Sequence, residues 1–366
     1  MIRTCRRGTI LIVTMLMVFA LAAMVLVLSR SMRVEVLAAA NQAAAVQASA
    51  IERGAEQYIL AAVAQEGLGI LDLPEEDFAA IPLGDGYFWV LRPDWNDTAL
   101  PVFGVVDEAA KLNINTATYD MLMALPNMTD DVAAAIIDWR DDNDTVYGGG
   151  AESDYYLSLP EPYHCKNAPF ETIEELLLVR NVTRELLYGD SAVATGDPWA
   201  QRGLHDLVTV YSSEPAGVGG RPGGTTPRGR INVLTAPREV LACLPDLDST
   251  DVDRLLQARV GADPSSTAWV AEAVGGRRFA GIADRITTQS YQYSADILAV
   301  AGNGRAYKRC RIVVDTTSSP PRVLYRRDTT AGGWPMDTEI LASLRAGRGP
   351  GAWASVRGTT SGGVTK

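Results

Sequence analysis

The sequence predicts an α+β chain hung on one very long N-terminal helix, and three observations lead there. No proline occurs before Pro74, and helical patterning runs from Thr9 into the sixties. Short apolar runs broken by Pro, Gly and Asp lie at Leu68 to Val106 and again at Tyr291 to Val314, and these read as strands. Between them lies a largely helical stretch containing an internal repeat, so the strands of one small sheet are split by a helical insertion.

The first element is set by hydropathy. Thr9 to Leu28 (TILIVTMLMVFALAAMVLVL) contains no charge, proline or glycine. About 20 residues at a rise of ~1.5 Å match a hydrocarbon core of roughly 30 Å. Arg3, Arg6 and Arg7 precede the run, so the short leader stays cytoplasmic and the long remainder crosses. A cleavable secretory signal fits poorly. The apolar run is long for such a signal, and the nearest small-residue site, Ala38 to Ala40, lies beyond Arg30, Arg33 and Glu35. Past the membrane, Val34, Leu37, Ala44, Ala48, Ile51, Ala55, Tyr58 and Ala62 form one apolar stripe on an otherwise polar helix.

Leu68 to Val106 then supplies the first strands (GYFWVLRP, LPVFGVV), and Asp107 to about His205 is mainly helical. Ser212 to Arg230 is rich in Gly, Pro and Ser and reads as a loop; its GVGGRP has Pro222 where a dinucleotide fingerprint needs glycine. Tyr291 to Val314 reads as a hairpin turning at Gly302-Asn303-Gly304, with a further strand at Arg322 to Arg327. From about Ala331 a short helical piece leads into a Gly/Ser/Thr tail. The boundaries are therefore a leader 1–8, a membrane helix 9–28, a stem 29–65, a first α/β part 66–106, a helical insertion 107–290, strands 291–330 and a flexible tail 331–366.

Within the insertion, KLNINTATYDMLMALPNMTDDVAAAIIDWR aligns without gaps on RINVLTAPREVLACLPDLDSTDVDRLLQAR, placing Asn113 on Asn232, Pro126 on Pro245 and Arg140 on Arg259. Each copy reads as a polar cap (Thr116 or Thr235), a short helix, a Leu-Pro turn and a second amphipathic helix, which resembles helix-hairpin-helix or SAM-like units (107–205 and 231–290). Such units raise the prospect of a membrane-anchored DNA binder. The turns argue against it: neither contains glycine, and both place carboxylates where a phosphate would dock. Asp107 to Asp154 holds eleven acids against two bases, and the whole chain has 33 basic and 44 acidic residues, a net charge of −11, so a nucleic-acid backbone is repelled.

Other chemistries are equally poorly served. Two histidines, His164 and His205, and four cysteines without a CxxC make a zinc site a poor fit, and no nucleophile–base pair stands out. An enzyme is not expected.

The acidic run Asp138-Trp139-Arg140-Asp141-Asp142-Asn143-Asp144, followed by GGGAESDYY, stands at a helix C-terminus. There the carboxylates repel one another and oppose the helix dipole. A hard cation on oxygen ligands would remove both costs, although the spacing is not that of an EF-hand; the alternative is a solvated acidic loop.

A membrane helix that runs unbroken into a long amphipathic stem, preceded by Arg6-Arg7-Gly8, resembles a type IV pilin or pseudopilin. The resemblance implies a pilin-like long helix packed on a small antiparallel sheet, cleavage by a prepilin peptidase after Gly8, and methylation of Thr9. Family members usually have a bulky apolar residue at the new N-terminus and glutamate four positions later; here these are Thr9 and Val13. The missing glutamate is characteristic of the K-type minor pseudopilin of type II secretion. In a filament that carboxylate offsets a neighbour's buried amine, and a capping subunit has no neighbour above. The segments DEAAKLNIN, AIIDWRDDND, GGAESDYY, PYHCKNAPF and TIEELLLVRNVT resemble the K-type helical domain.

The family then implies a tip subunit of the pseudopilus, seated in the bacterial inner membrane with its body in the periplasm. Its implied partners are the I-type and J-type minor pseudopilins and the major pseudopilin, with no nucleic acid. It also implies calcium in the helical domain, with Asp141, Asp142, Asp144, Glu152 and Asp154 as candidate ligands. The runner-up is a minor pilin of a type IV pilus. Cys5 leaves with the leader, and Cys165, Cys243 and Cys310 allow at most one disulfide, with the pairing open.

The junction at Gly8 gives a direct test. Gly8→Val should leave the precursor uncut, and mass spectrometry of the membrane form should find Thr9 as the first residue of the wild type. A wild-type chain beginning at Met1 or near Ala40 would contradict the pilin resemblance.

Overall fold

The structure is a computed structural model that describes residues 6–93, 102–189, 203–215 and 229–350. Helix α1 runs from Arg6 to Glu66 without a break, 61 residues in all. Its first half carries a window of mean hydropathy 3.0, long and apolar enough to cross a membrane, and none of that window is buried in the chain's own fold. Full burial against the head begins at Ala44. From there Ala44, Ala48, Ile51, Ala55, Ile59 and Val63 are all buried, at steps of three and four that keep one face on the sheet. The expected stripe is thus correct up to Ala55 and then drifts. Four-residue steps bury Ile59 and Val63, whereas Tyr58 and Ala62 lie to the side and Val34 and Leu37 are exposed. Tyr58 still packs edge-on against Phe88, with ring centroids 5.5 Å apart.

The sheet is antiparallel. Its strands are β1 (Ile81–Leu83), β2 (Gly86–Arg92), β3 (Val102–Phe103), β4 (Val106–Asp107), β9 (Gln292–Ala301), β10 (Tyr307–Asp315) and β11 (Arg322–Asp328). The order is β1-β2-β9-β10-β11, with β3 extending along β2 and β4 along β9. The β9–β10 hairpin turns at Gly302–Gly304, as the sequence predicts, pairing Tyr307 with Val300 and Asp315 with Gln292. Strand β9 is buried along nearly its whole length because both of its faces are covered.

One face lies on α1. Glu52, itself buried, accepts from Arg326 on β11, and Glu56 takes the same guanidinium at 3.2 Å, which ties the edge strand to the stem. The other face is partly covered by the C-terminal segment. Helix α10 (Thr338–Arg345) buries Ile340, Leu341 and Leu344, and Trp334 stacks edge-on against Trp89 (6.3 Å) and Tyr307 (5.4 Å). The boundary drawn at 331 therefore needs correcting, because residues 331–350 are part of the head. The Gly-rich composition masks three apolar residues at helical spacing behind an Asp337 cap that accepts from Glu339 N. The remainder of the expected tail, 351–366, lies outside the described residues, as do most of the Gly/Pro loop (216–228) and the start of the leader (1–5).

The insertion leaves β4 and returns at β9. Its two repeats fold alike. In the first, β5 (Leu112–Asn113) pairs in parallel with β6 (Val208–Thr209), and in the second β7 (Ile231–Asn232) pairs in parallel with β8 (Ile286–Thr287). Between the strands run α2 (Tyr119–Met123), α3 (Asp130–Arg140), α4 (Ser153–Leu157) and α5 (Arg184–Tyr188) in one copy, and α6 (Arg238–Leu241), α7 (Ser249–Ala258), α8 (Ala268–Val274) and α9 (Gly276–Ile282) in the other. Aligned residues do the same work. Asn113 and Asn232 each accept from the amide two residues on, at 2.9 and 3.0 Å. Arg140 donates to the carbonyls of Ile114 and Ala117, and Arg259 to those of Leu234 and Ala236. Asn127 and Asp246, each following the Leu-Pro pair, both take positive φ (57° and 60°). The caps differ from expectation. Thr118, not Thr116, caps α2, and Pro237 occupies that place before α6, because Asn113 and Asn232 already close the preceding turn.

A buried polar seam joins the insertion to the sheet. Asp107 accepts from Ala109 N (2.7 Å), Asn232 Nδ2 (3.0 Å), Thr235 Oγ1 and Ser290 Oγ (2.6 Å), so the sheet strand β4 holds the second repeat directly. Next to it Glu108 pairs with buried Lys111 at 2.8 Å and accepts from Thr209, with Arg311 of β10 nearby at 3.8 Å. These cations hold the Glu108 carboxyl down at about 2 in spite of its burial.

Candidate metal centre

The site grows from the end of α3. Val132, Ala133, Ile136 and Trp139 bury one face of this helix in the insertion core, and the same packing carries Asp138 fully inside. Trp139 packs edge-on against Tyr156 with centroids 5.2 Å apart, closing the floor. Beyond the helix, Gly148-Gly149-Gly150 brings the chain back past these carboxylates. Gly148 has φ +55°, and a Cβ at Gly150 would collide with Asp138 Oδ2, so side chains are excluded there. Arg180 holds this loop from the far side, donating to Gly150 O at 3.0 Å while lying over the Tyr155 ring.

The result is a convergence of Asp138, Asp141 and Glu152, whose ligand oxygens all lie within 4.8 Å of one another. Asp138 Oδ1 accepts from Tyr147 N at 2.9 Å, but its Oδ2 and both oxygens of Glu152 meet no donor at hydrogen-bonding geometry. Glu152 is only 3% exposed. Burial pushes its carboxyl up to about 7, and Asp138, Asp141 and Asp144 add to the rise; the nearby Cys165 thiol relieves it only in part. Asp138 is raised as well, first by burial and then by Asp141, against the pull of the Tyr147 and Ala151 amides. Buried carboxylates left without donors are costly, and a cation is the natural complement. The donor set is all oxygen, since burial pushes the Cys165 thiol up to about 12 and keeps it protonated. Such a set fits a hard divalent ion such as calcium rather than zinc.

The candidate ligands fall into three groups. Asp141 and Glu152 converge. Asp144 stands beside them, accepting from Asn167 Nδ2 at 2.9 Å and Ser153 Oγ at 3.3 Å. Asp142 and Asp154 are exposed and outside the group. Sequence reasoning missed Asp138, the third member, although its i,i+3 relation to Asp141 at a helix end was a usable signal. The second repeat has no counterpart: Gln257 and Val260 stand where Asp138 and Asp141 stand in the first.

Elsewhere, Gly8 and Thr9 lie within α1, and Val13 is exposed on it. The three described cysteines are free and buried, with Cys243 Sγ directed to Glu239 O at 3.2 Å and Cys310 lying behind Glu52.

A single membrane-length helix continuing into a sheet-covering stem, with a helical domain inserted at one end of that sheet, is a pilin-like fold. Residues 104–188, the part that holds the acidic site, match the family model of the type II secretion system (T2SS), protein K. No curated protein matches the chain. Among solved structures it is similar to a chain of the GspK-GspI-GspJ complex from the enterotoxigenic Escherichia coli type 2 secretion system. That match has 17% identity and a TM-score of 0.52, and covers 77% of this chain and 95% of the other. At that identity the likeness speaks for the fold. Residues 104–188 are thus similar to protein K of type II secretion, and the chain as a whole is similar in fold to a chain of the GspK-GspI-GspJ complex.

Proposed function

We propose that this chain is the capping subunit of a type II secretion pseudopilus, a structural and not a catalytic component of protein export. Residues 9–28 would anchor it in the inner membrane before assembly and serve as filament core afterwards, with the head in the periplasm. The observation that carries this reading is where the insertion leaves the sheet. β4 pairs with Ser294 and Tyr293, at the end of β9 far from the hairpin, while the hairpin end packs at the level of Ile51 on α1. The insertion therefore sits at the membrane-distal end, where another subunit would otherwise stack. Val13 fits the same position, since a cap needs no carboxylate for an amine above it. The GspK-GspI-GspJ complex supports I-type and J-type minor pseudopilins as neighbours; the major pseudopilin would follow below them. Prepilin peptidase cleavage after Gly8 and methylation of Thr9 complete the reading. In filaments assembled with the major pseudopilin, gold-labelled chain should mark one end only. Labelling along the length, or a gain of incorporation in Val13→Glu, would place it inside the filament instead.

The insertion is proposed to hold calcium through Asp138, Asp141 and Glu152, with Asp144 beside them. The ion would neutralise carboxylates that the fold buries without donors. The pH dependence follows from Glu152. Its native carboxyl titrates near 7 and its unfolded one near 4.5, so the native state holds the extra proton between these values. With chelator, stability should therefore fall as pH rises from about 4.5 to 7, and Glu152→Gln should flatten that fall. Calcium should reverse it, raising the melting temperature at pH 7.5 by a few degrees, since binding at one hundred times Kd is worth about 2.7 kcal/mol. Equal melting with calcium and with chelator would return the site to a solvated acidic loop.

A further inference from the structure

We propose that the membrane-proximal underside of the head, at Arg305, Arg345 and Arg348, is the docking face for the acid-rich upper surface of a second pilin-like subunit. The proposal takes its orientation from the pseudopilin reading.

These arginines come together by construction. Arg305 sits on the β9–β10 turn, where its amide donates to Asn303 Oδ1 at 3.0 Å. Arg345, at the end of α10, donates from Nε to Gly304 O at 3.0 Å, and its Cγ lies so close to Gly304 that an added Cβ there would stand 3.1 Å from it. The chain then folds back on the last turn of α10 through Arg348 N to Ser343 O, also 3.0 Å. All three residues are exposed, and none forms an ion pair among the described residues, whereas most of the other arginines of the head, including Arg309, Arg311, Arg322, Arg326 and Arg327, do. Asp85 lies against the turn, with its carbonyl beside Gly302. From Ile340 to Lys366 the sequence contains no Asp or Glu. A bare cationic patch on a chain of net charge −11 is a local reversal of sign, and it selects an anionic partner.

Distance decides which anionic partner. The apolar anchor ends at Leu28, and α1 is half-covered by the head from Ala40 and buried from Ala44. The 12 helical steps from Leu28 to Ala40 raise the underside by ~18 Å at ~1.5 Å each. A Debye length at physiological salt is about 8 Å, so anionic lipid headgroups lie about two screening lengths away and exert little pull. The gap instead has the height of a protein element, and its inner wall, the stem between Leu28 and Ala40, exposes Met32, Val34 and Val36. An apolar stem below a cationic ceiling suits a second subunit that lays its own helix along the stem and lifts acidic groups to the arginines.

The test uses the full chain in nanodiscs with the I-type and J-type minor pseudopilins of the same secretion system. On adding them, amide exchange should slow at residues 302–307 and 342–349. Arg305→Glu/Arg348→Glu, which keeps the Arg345 contact to the turn, should weaken the complex by about tenfold and flatten its salt dependence. Arg305→Lys/Arg348→Lys should bind as the wild type does. A complex that forms equally well with the Glu variant would overturn the docking face and leave the pseudopilin reading standing. Failure of the wild type to form any complex would overturn both. Slowed exchange on exchanging zwitterionic lipid for phosphatidylglycerol, with no partner added, would assign the patch to the membrane and overturn the proposal.

Discussion

Six apolar side chains on one face of α1, from Ala44 to Val63, hold the membrane anchor and the folded head together as one body. Four are small or short enough to let the helix approach the sheet closely, and Ile51 and Ile59 fill the spaces between. Gly86 is needed for that approach, since a Cβ there would strike Ile51 and the Val300 carbonyl. Burying each Ile or Val is worth roughly 2 kcal/mol, so the strip contributes enough to fix the helix without help from the exposed half. The Glu52–Arg326 pair adds direction more than energy: it sets which edge of the sheet the helix crosses, and removal of Arg326 would leave the buried Glu52 carboxylate unpaired.

With α1 on one face, the other face of the sheet is shared by two occupants. At the hairpin end it is closed by α10 and Trp334. At the distal end it meets the insertion through Asp107, Glu108, Lys111 and Arg311. That division makes the polar seam tolerable, because every carboxylate in it finds donors or cations, in contrast to Glu152. It also makes the two ends of the head unlike each other in charge. Carboxylates gather in the insertion, and unpaired arginines gather at the hairpin. A subunit polarised in this way can accept the acidic surface of a neighbour below.

Much of this was legible in the residues. The uninterrupted helical pattern gave the stem, the Gly-Asn-Gly turn gave the hairpin, and the ungapped repeat gave two equivalent folded units whose Asn113/Asn232 and Arg140/Arg259 pairs do the same structural work. What was not legible depends on tertiary partners. The stem's stripe drifts after Ala55 because the sheet's twist selects Ile59 over Tyr58. The last helix was legible as a short helical piece, but its docking was not, and the Trp89 face it covers explains why it belongs to the head. At the acidic site, the run of carboxylates was conspicuous. Which of them converge depended on Asp138 being turned inward by the packing of Trp139, and on Gly150 leaving room beside it.

The central claim is that the strip from Ala44 to Val63 alone joins head and anchor in the isolated subunit. Native-state amide exchange along α1 of the full chain tests it most directly. Amides from Ala44 to Val63 should open only with global unfolding, and those from Arg30 to Ala39, whose side chains are all exposed, should open at far lower free energy. Equal protection of the two stretches, or exchange as fast at Ile59 as at Val36, would contradict it.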